Sequence, residues 1–554
     1  MIAADEDKAE AIRLYFEKQF TGNEAPLEPF TGNPRPLNTP VTVDEITNAL
    51  KKLKNNRACG PDNIPNELLK YSGSSFSAQF APIINECFET HTYIDAIGKS
   101  ILTPLQKPGK PKGPPKSLRP LNLLNGVRKV LSIVCANRIQ DNVNYYTGPW
   151  QCGYKQNRSC ADLVWSQRML ISVMLRKQHE FYKMGIDMSS AFDTIKRSTI
   201  LRLLEDAGCS EDDIRLVRLL LANTKIRVQV NSSLSVEFVS TSGAFQGDTL
   251  SGTLFTLSLA GALNHVRAVA VERPNPPITE VGMPVEWEYS DDVDFLDMEL
   301  EPLQNLLPTC REVLSEWNLT VNEEKTEFVR FYLAGKGELN DDGDLLSDNE
   351  AWRACKSLGS LLCSTADIGR RIILANAAFS TFSKLWLCGK QIPLKRKLQV
   401  YDAQVISVLL YNGSSWSAPK HVMSKLDVCH RRHLRRIINI YWPNGVISNR
   451  ELYRRCGTYP ITERIRKARW TLFGHILRMD SNTPASAALY HAVDTLHTLR
   501  GRIGRPRTNL LSFLCADLSL CGLGLRSLQD LEELKCLAYD RSTWRKMCTI
   551  KPYG

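Results

Sequence analysis

Residues 287–296 read WEYSDDVDFL and place two adjacent carboxylates, Asp291 and Asp292, between two short runs of aromatic and β-branched residues. Such runs favour strands, and the Ser-Asp pair between them favours a tight turn. The stretch therefore predicts a β-hairpin that carries both carboxylates at its tip. Hard oxygen ligands in this position suit Mg²⁺, which prefers a few carboxylates plus substrate phosphates. The alternative is an ordinary solvated turn, in which Asp-Asp pairs are common.

A third acidic residue follows a second predicted strand. Residues 181–193, FYKMGIDMSSAFD, indicate a strand that ends at Asp187 and a turn into a helix. The apolar residues of that helix recur at helical spacing, at Ile195, Ile200, Leu201, Leu203 and Leu204. Beside the hairpin, Asp187 would complete a set of three acids for two metal ions, the recurring arrangement of polymerases. The alternative, an acid placed for the helix dipole, fits Asp193 or Ser189 better than Asp187.

A glycine-rich loop lies between these two segments. Residues 243–255, GAFQGDTLSGTLF, open an apolar helix that continues through Leu257, Leu259, Ala260 and Leu263. Backbone amides in such a loop can approach a nucleotide or a template strand closely. A plain helix start is the alternative, so the loop predicts a nucleotide site only in combination with the acids.

The order of these motifs resembles the palm of reverse transcriptases, and more closely that of non-LTR (LINE-type, RTE- or jockey-like) retrotransposon enzymes. Further segments resemble motifs of this family in the family's own order: NNRACGPDNIP at 55–65, LTPLQKPGK at 102–110, LRPLNLL at 118–124, QCGYKQNRS at 151–159, LTVNEEKTE at 319–327 and SLGSLL at 357–362. A single motif match is weak, but so many in the right order make chance an untenable account. The chain departs from the family pattern at Leu118, Thr249, Gly252 and Ser357, and none of these departures touches the three acids.

The resemblance implies an α+β fold of the right-hand polymerase type, with fingers, palm and thumb, followed by a mainly α-helical basic C-terminal domain. It implies an RNA-directed DNA polymerase that copies element RNA by two-metal nucleotidyl transfer, with target-primed reverse transcription from nicked DNA. The implied partners are an RNA template, a DNA primer or target and dNTPs, with no membrane. The alternative is a catalytically inactive nucleic-acid-binding remnant of a decayed element.

The resemblance also implies roles for single residues. Two Mg²⁺ ions, which Mn²⁺ could replace, would be bound by the three acids Asp187, Asp291 and Asp292. Five residues would surround the incoming nucleotide: Arg119, Phe192, Gln246, Gly247 and Tyr289. Among them, Arg119 would grip the triphosphate with its planar fork, and Phe192 would lie under the sugar and exclude a 2′-hydroxyl. Core packing is the alternative for Phe192.

Basic residues near these motifs suggest further contacts. Lys325 would protonate the departing pyrophosphate, with an ordinary exposed lysine as the alternative. Lys107 and Lys110 are candidates for phosphate contact, although a charged solvent face explains them equally well.

The region 421–480 holds thirteen Lys or Arg residues and four acidic residues. Six aromatic residues are interleaved, namely Tyr441, Trp442, Tyr453, Tyr459, Trp470 and Phe473. Basic residues on phosphates and aromatics stacked on splayed bases are typical of RNA-binding surfaces. The predicted nucleic-acid contacts are Arg431, Arg432, Arg435, Arg436, Arg466, Lys467 and Arg469, and residues 501–507 add a basic loop. The alternative is a helical bundle with a solvated basic face.

Composition is consistent with this interpretation. The chain has 554 residues and a formal net charge of +11, which suits a nucleic-acid partner. Its sixteen cysteines form no C-x₂-C pair, so neither a disulfide framework nor a zinc finger is indicated. We expect no signal peptide and no apolar run near the ~18 residues of a membrane span. An intracellular protein of the cytoplasm and nucleus is therefore expected.

Four regions are predicted along the chain. Residues 1–40 would form an N-terminal extension and linker, 41–335 the fingers and palm, 336–420 the primer grip and helical thumb, and 421–554 the basic helical domain. Thr42 to Glu45 has the pattern of a capping box before a helix, and another helical pattern begins near Asp367. Only about forty residues precede the fingers, too few for a nuclease domain. The expectation is a fragment, a truncated copy or a protein that lacks the N-terminal endonuclease of its relatives.

Overall fold

The computed structural model describes residues 4–22, 24–177, 179–189, 191–271, 286–332, 351–440, 443, 445–496 and 509–548. Its helices are α1 (Asp5–Phe20), α2 (Val43–Lys52), α3 (Asn66–Lys70), α4 (Ser74–Thr90), α5 (Asp95–Gly98), α6 (Gly126–Tyr146), α7 (Cys160–Lys177), α8 (Ala191–Thr194), α9 (Arg197–Asp206), α10 (Glu211–Leu221), α11 (Thr249–Val271), α12 (Leu300–Glu316), α13 (Ser364–Phe382), α14 (Leu394–Tyr401), α15 (Ser407–Leu409), α16 (Lys420–Ile437), α17 (Asn449–Cys456), α18 (Ile461–Leu477), α19 (Pro484–Asp494), α20 (Leu510–Ser519), α21 (Leu528–Tyr539) and α22 (Arg541–Met547). Its strands are β1 (Lys99–Gln106), β2 (Leu118–Leu124), β3 (Phe181–Ile186), β4 (Met188–Ser189), β5 (Lys225–Val230), β6 (Ser233–Leu234), β7 (Phe238–Val239), β8 (Glu286–Tyr289), β9 (Asp292–Asp297), β10 (Thr320–Val321), β11 (Glu327–Phe331), β12 (Lys356–Ser357) and β13 (Ser360–Leu361).

A four-stranded antiparallel sheet in the order β11-β3-β9-β8 contains the predicted hairpin. Its strands β8 and β9 are joined by a two-residue turn, across which Tyr289 pairs with Asp292. β9 also pairs with β3, so Val293 lies opposite Ile186. The predicted hairpin and the predicted strand before Asp187 therefore lie side by side.

The two faces of this sheet are buried against different helices. Met184 and Phe295 face a large apolar cluster that includes residues of α6, α11 and α12. Trp287 and Leu296 face the other way, into a cluster built largely on α7. Alternating side chains along each strand thus enter two separate cores, which fixes the register of the hairpin.

The single helix predicted after Asp187 is wrong in one respect, because the chain forms two helices, α8 and α9. The break at Ile195 frees a carbonyl that accepts the N–H of Gly243 at 2.8 Å, and the Phe192 carbonyl accepts the N–H of Ala244 at 2.9 Å. The backbone therefore leaves the helical path in order to hold the glycine-rich loop. Apolar spacing could not reveal this, since Ile195 and Ile200 are both buried on either side of the break.

A second sheet, in the order β2-β1-β5-β6 with β7 paired to β5, packs against the N-terminal helix. Phe16 and Phe20 of α1 are almost fully buried against Leu102 and Ile226 of this sheet. These phenylalanines are four residues apart and so share one face of the helix. Residues 5–20 are thus part of a folded core rather than the predicted extension. The predicted helix after Thr42 is present as α2, with its complete capping box.

Helix α11 corrects the expectation of no long apolar run. It has 23 residues and is long and apolar enough to span a membrane by length and composition alone. Two thirds of its most apolar window are buried inside the protein, among residues of α6, α9 and α12. A helix that is hydrophobic on all sides is typical of a domain core as well as of a membrane span, and the packing here is that of a core.

Helix α7 links the sheet to the rest of the chain. Leu170 and Met174 pack beneath the four-stranded sheet, whereas Trp165 and Met169 pack with α18 to α22. The helical pattern predicted from Asp367 forms α13, which packs with α14 to α18 in a further cluster. The sequence of residues 335–349 is acidic and predicts a surface loop, and this stretch lies outside the described residues.

Candidate active site

The hairpin turn consists of Ser290 and Asp291, and Asp292 is the first residue of β9. Ser290 has a φ of 58°, as required at the first central position of a tight hairpin turn. Because β3 ends opposite Val293, Asp187 emerges beside Asp292. The structure thus brings together the three acids predicted from the sequence.

Repulsion among carboxylates is concentrated on Asp292, whose outer side is exposed. Withdrawal of its inner side from water, followed by the charges of Asp291, Asp294 and Asp187, raises the pKa of Asp292 to about 6. Lys183 opposes this shift, but its ammonium group bonds to Asp294 Oδ1 at 2.9 Å. A divalent cation would relieve such repulsion, and hard carboxylate oxygens are the ligands that Mg²⁺ prefers. The donor set therefore fits the predicted ion.

A turn after β10 places a lysine on the first of these acids. Lys325 Nζ lies 2.6 Å from Asp187 Oδ2, and the Asn322 side chain donates to the same oxygen at 3.3 Å. The Asn322 N–H also bonds to the Asp187 carbonyl at 2.8 Å. Among the described residues, no three acidic, histidine or cysteine side chains already lie close enough together to form a metal-binding group. Asn322 lies inside the LTVNEEKTE motif, but its part in holding Asp187 was not predicted.

A second anchor missed by sequence reasoning holds the hairpin tip. Gln151 is 1% exposed; its Oε1 accepts the N–H of Ser290 at 2.8 Å and that of Gly153 at 2.7 Å. The Cys152 N–H bonds to the Glu288 carbonyl at 2.9 Å. Gly153 passes so close that a Cβ there would lie 2.5 Å from the Ser290 nitrogen. The QCGYKQNRS motif therefore holds the hairpin turn in place.

The glycine-rich loop lies against strand β2. The Asn122 N–H bonds to the Gln246 carbonyl at 2.8 Å, and a Cβ on Gly247 would lie 2.8 Å from the Asn122 carbonyl oxygen. Just beyond, Asp248 forms a buried ion pair with Arg128 of α6 at 3.0 Å. The loop is thus fixed on both sides, with Gly247 left exposed.

Phe192 forms an aromatic platform at the edge of the core. Its ring stacks on Phe255 with centroids 4.1 Å apart and meets Tyr154 edge-on at 6.0 Å. Phe192 is half-buried, so core packing accounts for part of its ring, and its role under the sugar stays a prediction. Tyr289 packs instead with the cluster on α7, so the structure does not group it with Phe192.

Basic side chains on and after the strands of the second sheet interact with Lys325, the partner of Asp187. Arg119 is exposed on β2, opposite Leu105 of β1. Partial burial lowers the pKa of Lys107, the charge of Asp193 opposes this, and the cations Arg119, Lys325 and Lys110 lower it further. Such mutual repulsion indicates a group of positive charges at one place in the fold. Phosphate oxygens are the natural counter-charge for it.

Four predicted nucleic-acid contacts lie on helix α16, as their spacing implied. Arg435 Nη2 bonds to Asn449 Oδ1 at 2.7 Å, and the Arg436 guanidinium lies 4.8 Å from the centroid of the Phe379 ring. Arg432 is exposed and Arg431 is half-buried. The helix thus presents four charges, two of which also make protein contacts.

The predicted contacts on α18 need correction. Arg469 is 4% exposed and pairs with Asp517 at 2.7 Å, so burial withdraws it from any nucleic-acid surface. Arg466 is paired with Glu463 at 2.8 Å, and Lys467 is exposed.

The proposed stacking aromatics also need correction. Tyr453, Trp470 and Phe473 are all buried in the helical cores and cannot stack on bases. Tyr459 is half-buried, with the Arg464 guanidinium 5.4 Å from its ring centroid. Tyr441, Trp442 and the basic loop 501–507 lie outside the described residues.

Comparison with known proteins finds similarity to one kind of protein, the reverse transcriptases of transposable elements. Residues 105–360 match the family model "Reverse transcriptase (RNA-dependent DNA polymerase)". The probable RNA-directed DNA polymerase from transposon BS of Drosophila melanogaster is 24% identical over 431 residues, which cover 74% of this chain and 46% of that protein. The RNA-directed DNA polymerase from mobile element jockey of Drosophila funebris is 23% identical over 419 residues, covering 73% and 44%.

A third relative is the retrovirus-related Pol polyprotein from type-1 retrotransposable element R2 of Popillia japonica, 25% identical over 415 residues, which cover 70% of this chain and 54% of that protein. The chain therefore spans about half the length of the relatives it matches.

Proposed function

We propose that this chain is an RNA-directed DNA polymerase. Residues 105–360 match the reverse transcriptase family, and the chain resembles the polymerases of non-LTR retrotransposons. Its template would be element RNA, and its primer would be the end of a nicked DNA target. The single observation that carries the proposal is the convergence of Asp187, Asp291 and Asp292, which three strand ends bring to one edge of the sheet.

The three acids would hold two Mg²⁺ ions. When bound, the ions would lower the pKa of the primer 3′-hydroxyl and balance the charge of the triphosphate. Asp187 and Asp291 come from independent segments and would hold the ions from two sides, whereas Asp292 would add charge from the start of β9. Gln151 and Gly153 would keep the hairpin in register during this binding.

The basic residues would position the phosphates. Arg119 would bind the triphosphate with its planar guanidinium, supported by the charge of Lys107. Lys325 adjoins Asp187 and would supply a proton to the departing pyrophosphate. Phe192, Gln246 and Gly247 would form the sugar and base side of the pocket.

A primer-extension assay on an RNA template tests this function directly. The parent should extend a DNA primer in the presence of Mg²⁺ and stop when EDTA is added. Asp187→Ala and Asp291→Ala should each abolish extension while RNA binding stays nearly intact, because the lost carboxylates serve chemistry more than template grip. Asp206→Ala, which removes an exposed acid at the end of α9, is the matched control and should extend normally. Parental rates in either active-site variant would exclude the two-metal assignment, and a parent without extension would indicate a non-catalytic remnant.

A further inference from the structure

Asp193 is a buried carboxylate with an unusual set of partners. It is 2% exposed and lies on α8, next to Phe192. Its Oδ1 accepts the side-chain N–H of Gln246 at 3.1 Å, and its Oδ2 accepts that of Gln19 at 2.6 Å. Among the described residues it has no Lys or Arg within ion-pair distance. A buried carboxylate that relies on two neutral amides is costly to keep.

The end of α1 holds the start of the glycine-rich loop against this carboxylate. The Phe20 carbonyl accepts the N–H groups of Thr241 at 3.0 Å and Ser242 at 3.1 Å. Gly243 has a φ of 75°, and a Cβ there would lie 2.5 Å from the carbonyl oxygen of Asp193. The N-terminal helix, Asp193 and the loop are therefore packed as one unit.

This packing fixes the orientation of the Gln246 amide. A carboxylate only accepts hydrogen bonds, so Gln246 must present its Nε2 to Asp193. Its Oε1 then points away from Asp193, and no described residue donates to it. The adjacent Gly247 is exposed. Gln246 thus presents a hydrogen-bond acceptor at the position predicted to flank the nucleotide.

We propose that Asp193 is a positioning residue that, together with Gln19 of α1, holds Gln246 as a fixed acceptor for a hydroxyl or amine donor of the incoming nucleotide. This inference rests on the proposed function. It assigns the N-terminal helix a part in nucleotide binding, through a chain of two hydrogen bonds.

The charge state of Asp193 gives the proposal a pH signature. Burial raises the pKa of Asp193 to about 7, against the lowering effect of its bonds to Gln246 and Gln19. As pH falls through this value the carboxyl becomes protonated and loses one of its two acceptor positions. The grip on Gln246 is therefore complete above pH 7 and weakens below it. The charged or titratable groups that face Asp193 are Lys107 after β1 and Tyr15 of α1.

Single-nucleotide extension kinetics from about pH 6 to about pH 8, on either side of the Asp193 pKa, test the inference. In the parent, KM for the dNTP should rise toward low pH. Asp193→Asn should raise KM at pH 8 on the order of tenfold, because one carboxylate acceptor is replaced by an amide donor. The change of KM centred near pH 7 should disappear in this variant, and only the change near pH 6 that Asp292 causes should remain. Gln19→Ala, a milder change should Asp193→Asn not fold, should raise KM by less. Primer–template affinity should stay constant in both.

Two comparisons separate positioning from general support of the fold. Gln246→Ala combined with Asp193→Asn should be no worse than Gln246→Ala alone, since both changes remove one interaction. Asp212→Asn is the matched control, because Asp212 is 3% exposed and accepts the Thr39 N–H at 2.7 Å away from the loop. It should leave the KM for dNTP unchanged.

An unchanged KM and pH profile in Asp193→Asn and Gln19→Ala, or additive losses in the double variant, would overturn the inference while parental extension still stands. A parent that does not extend would overturn the proposed function and this inference with it.

Discussion

At the residue scale, two acids on the same strand have different charged neighbours. Asp292 and Asp294 project from the same face of β9, because side chains alternate along a strand. Lys183 compensates Asp294 at 2.9 Å, and burial raises the pKa of Asp294. Asp292 faces three other carboxylates instead. Asp292 is thus the acid without an ammonium partner, and it is also the one predicted to bind metal. The alternating sequence pattern could not reveal this electrostatic difference between Asp292 and Asp294.

Phe192 allows a prediction about sugar discrimination. Phe192→Val should remove the bulk of the ring beside the nucleotide, so incorporation of ribonucleotides should rise relative to deoxyribonucleotides. Extension reactions with competing dNTP and rNTP measure the ratio. Phe238→Val, which shrinks a buried ring on β7 of the second sheet, should lower stability without changing the ratio. An unaltered preference in Phe192→Val would mean that the stack on Phe255 is its whole role.

At the element scale, the catalytic turn depends on a segment far away in sequence. The hairpin and the strand before Asp187 were predictable, because aromatic and β-branched runs mark strands locally. Gln151 and Asn322 were not, since their partners Ser290 and Asp187 are well over one hundred residues distant. Isolated polar residues show no periodic sequence pattern from which their hydrogen-bond partners could be predicted. The glycine at position 153 was the one sequence feature that indicated this contact, because a backbone that packs directly against another backbone needs a residue without a side chain.

Gly153→Ala should therefore impair catalysis more than folding. The added methyl group would meet the Ser290 nitrogen at 2.5 Å and push the turn away from Asp187. We expect at least a roughly tenfold loss of extension rate, which corresponds to about 1.4 kcal/mol in the barrier. Gly369→Ala on α13, where a Cβ meets nothing within 4 Å, is the control and should slightly raise the melting temperature. Equal rates in the two variants would show that the turn tolerates displacement.

Helix α16 gives a quantitative prediction about nucleic-acid binding. If Arg431, Arg432, Arg435 and Arg436 contact phosphates, replacing all four with alanine should flatten the plot of log K against log salt by up to roughly 3 units. Filter binding of RNA across a salt series measures this slope. The four-lysine variant keeps the charges and should keep most of the slope. A solvated face would instead leave both affinity and slope unchanged in the alanine variant.

At the scale of the whole molecule, the right-hand polymerase class followed from the order of the motifs, and the family match agrees with it. The order of the motifs did not reveal how the predicted regions of the chain pack against one another. Phe20 is buried against the second sheet and Trp165 against the C-terminal helices, and both are contacts between distant segments. Apolar periodicity shows that a face is buried but not what covers it. For the same reason Trp470 and Phe473 were mistaken for surface aromatics, since an amphipathic helix can bury its aromatics under its own basic residues.

One buried ion pair joins α7 to α13. Arg168 Nη2 lies 2.8 Å from Asp367 Oδ2, and both side chains are almost fully buried. Arg168→Met should destabilise the protein by up to about 3–5 kcal/mol, because the buried Asp367 would keep only a longer ion pair, with Arg371 Nε at 3.7 Å. Arg330→Ala, which breaks an exposed pair with Glu180, should cost under about 1 kcal/mol. Denaturant unfolding compares the two, and equal losses would contradict the assignment.

The position of α7 has a consequence for how such chains can diversify. One face of this helix packs against the sheet that holds the acids, another packs against the C-terminal helices, and Arg168 bonds to Asp367 of α13. Recombination that exchanged the C-terminal third for that of a distant relative would leave a mismatched surface on α7. Viable chimeras should therefore inherit α7 together with the C-terminal helices. Substitutions on these surfaces should be accepted in compensating pairs, so the C-terminal helices and the sheet that holds the acids should evolve together.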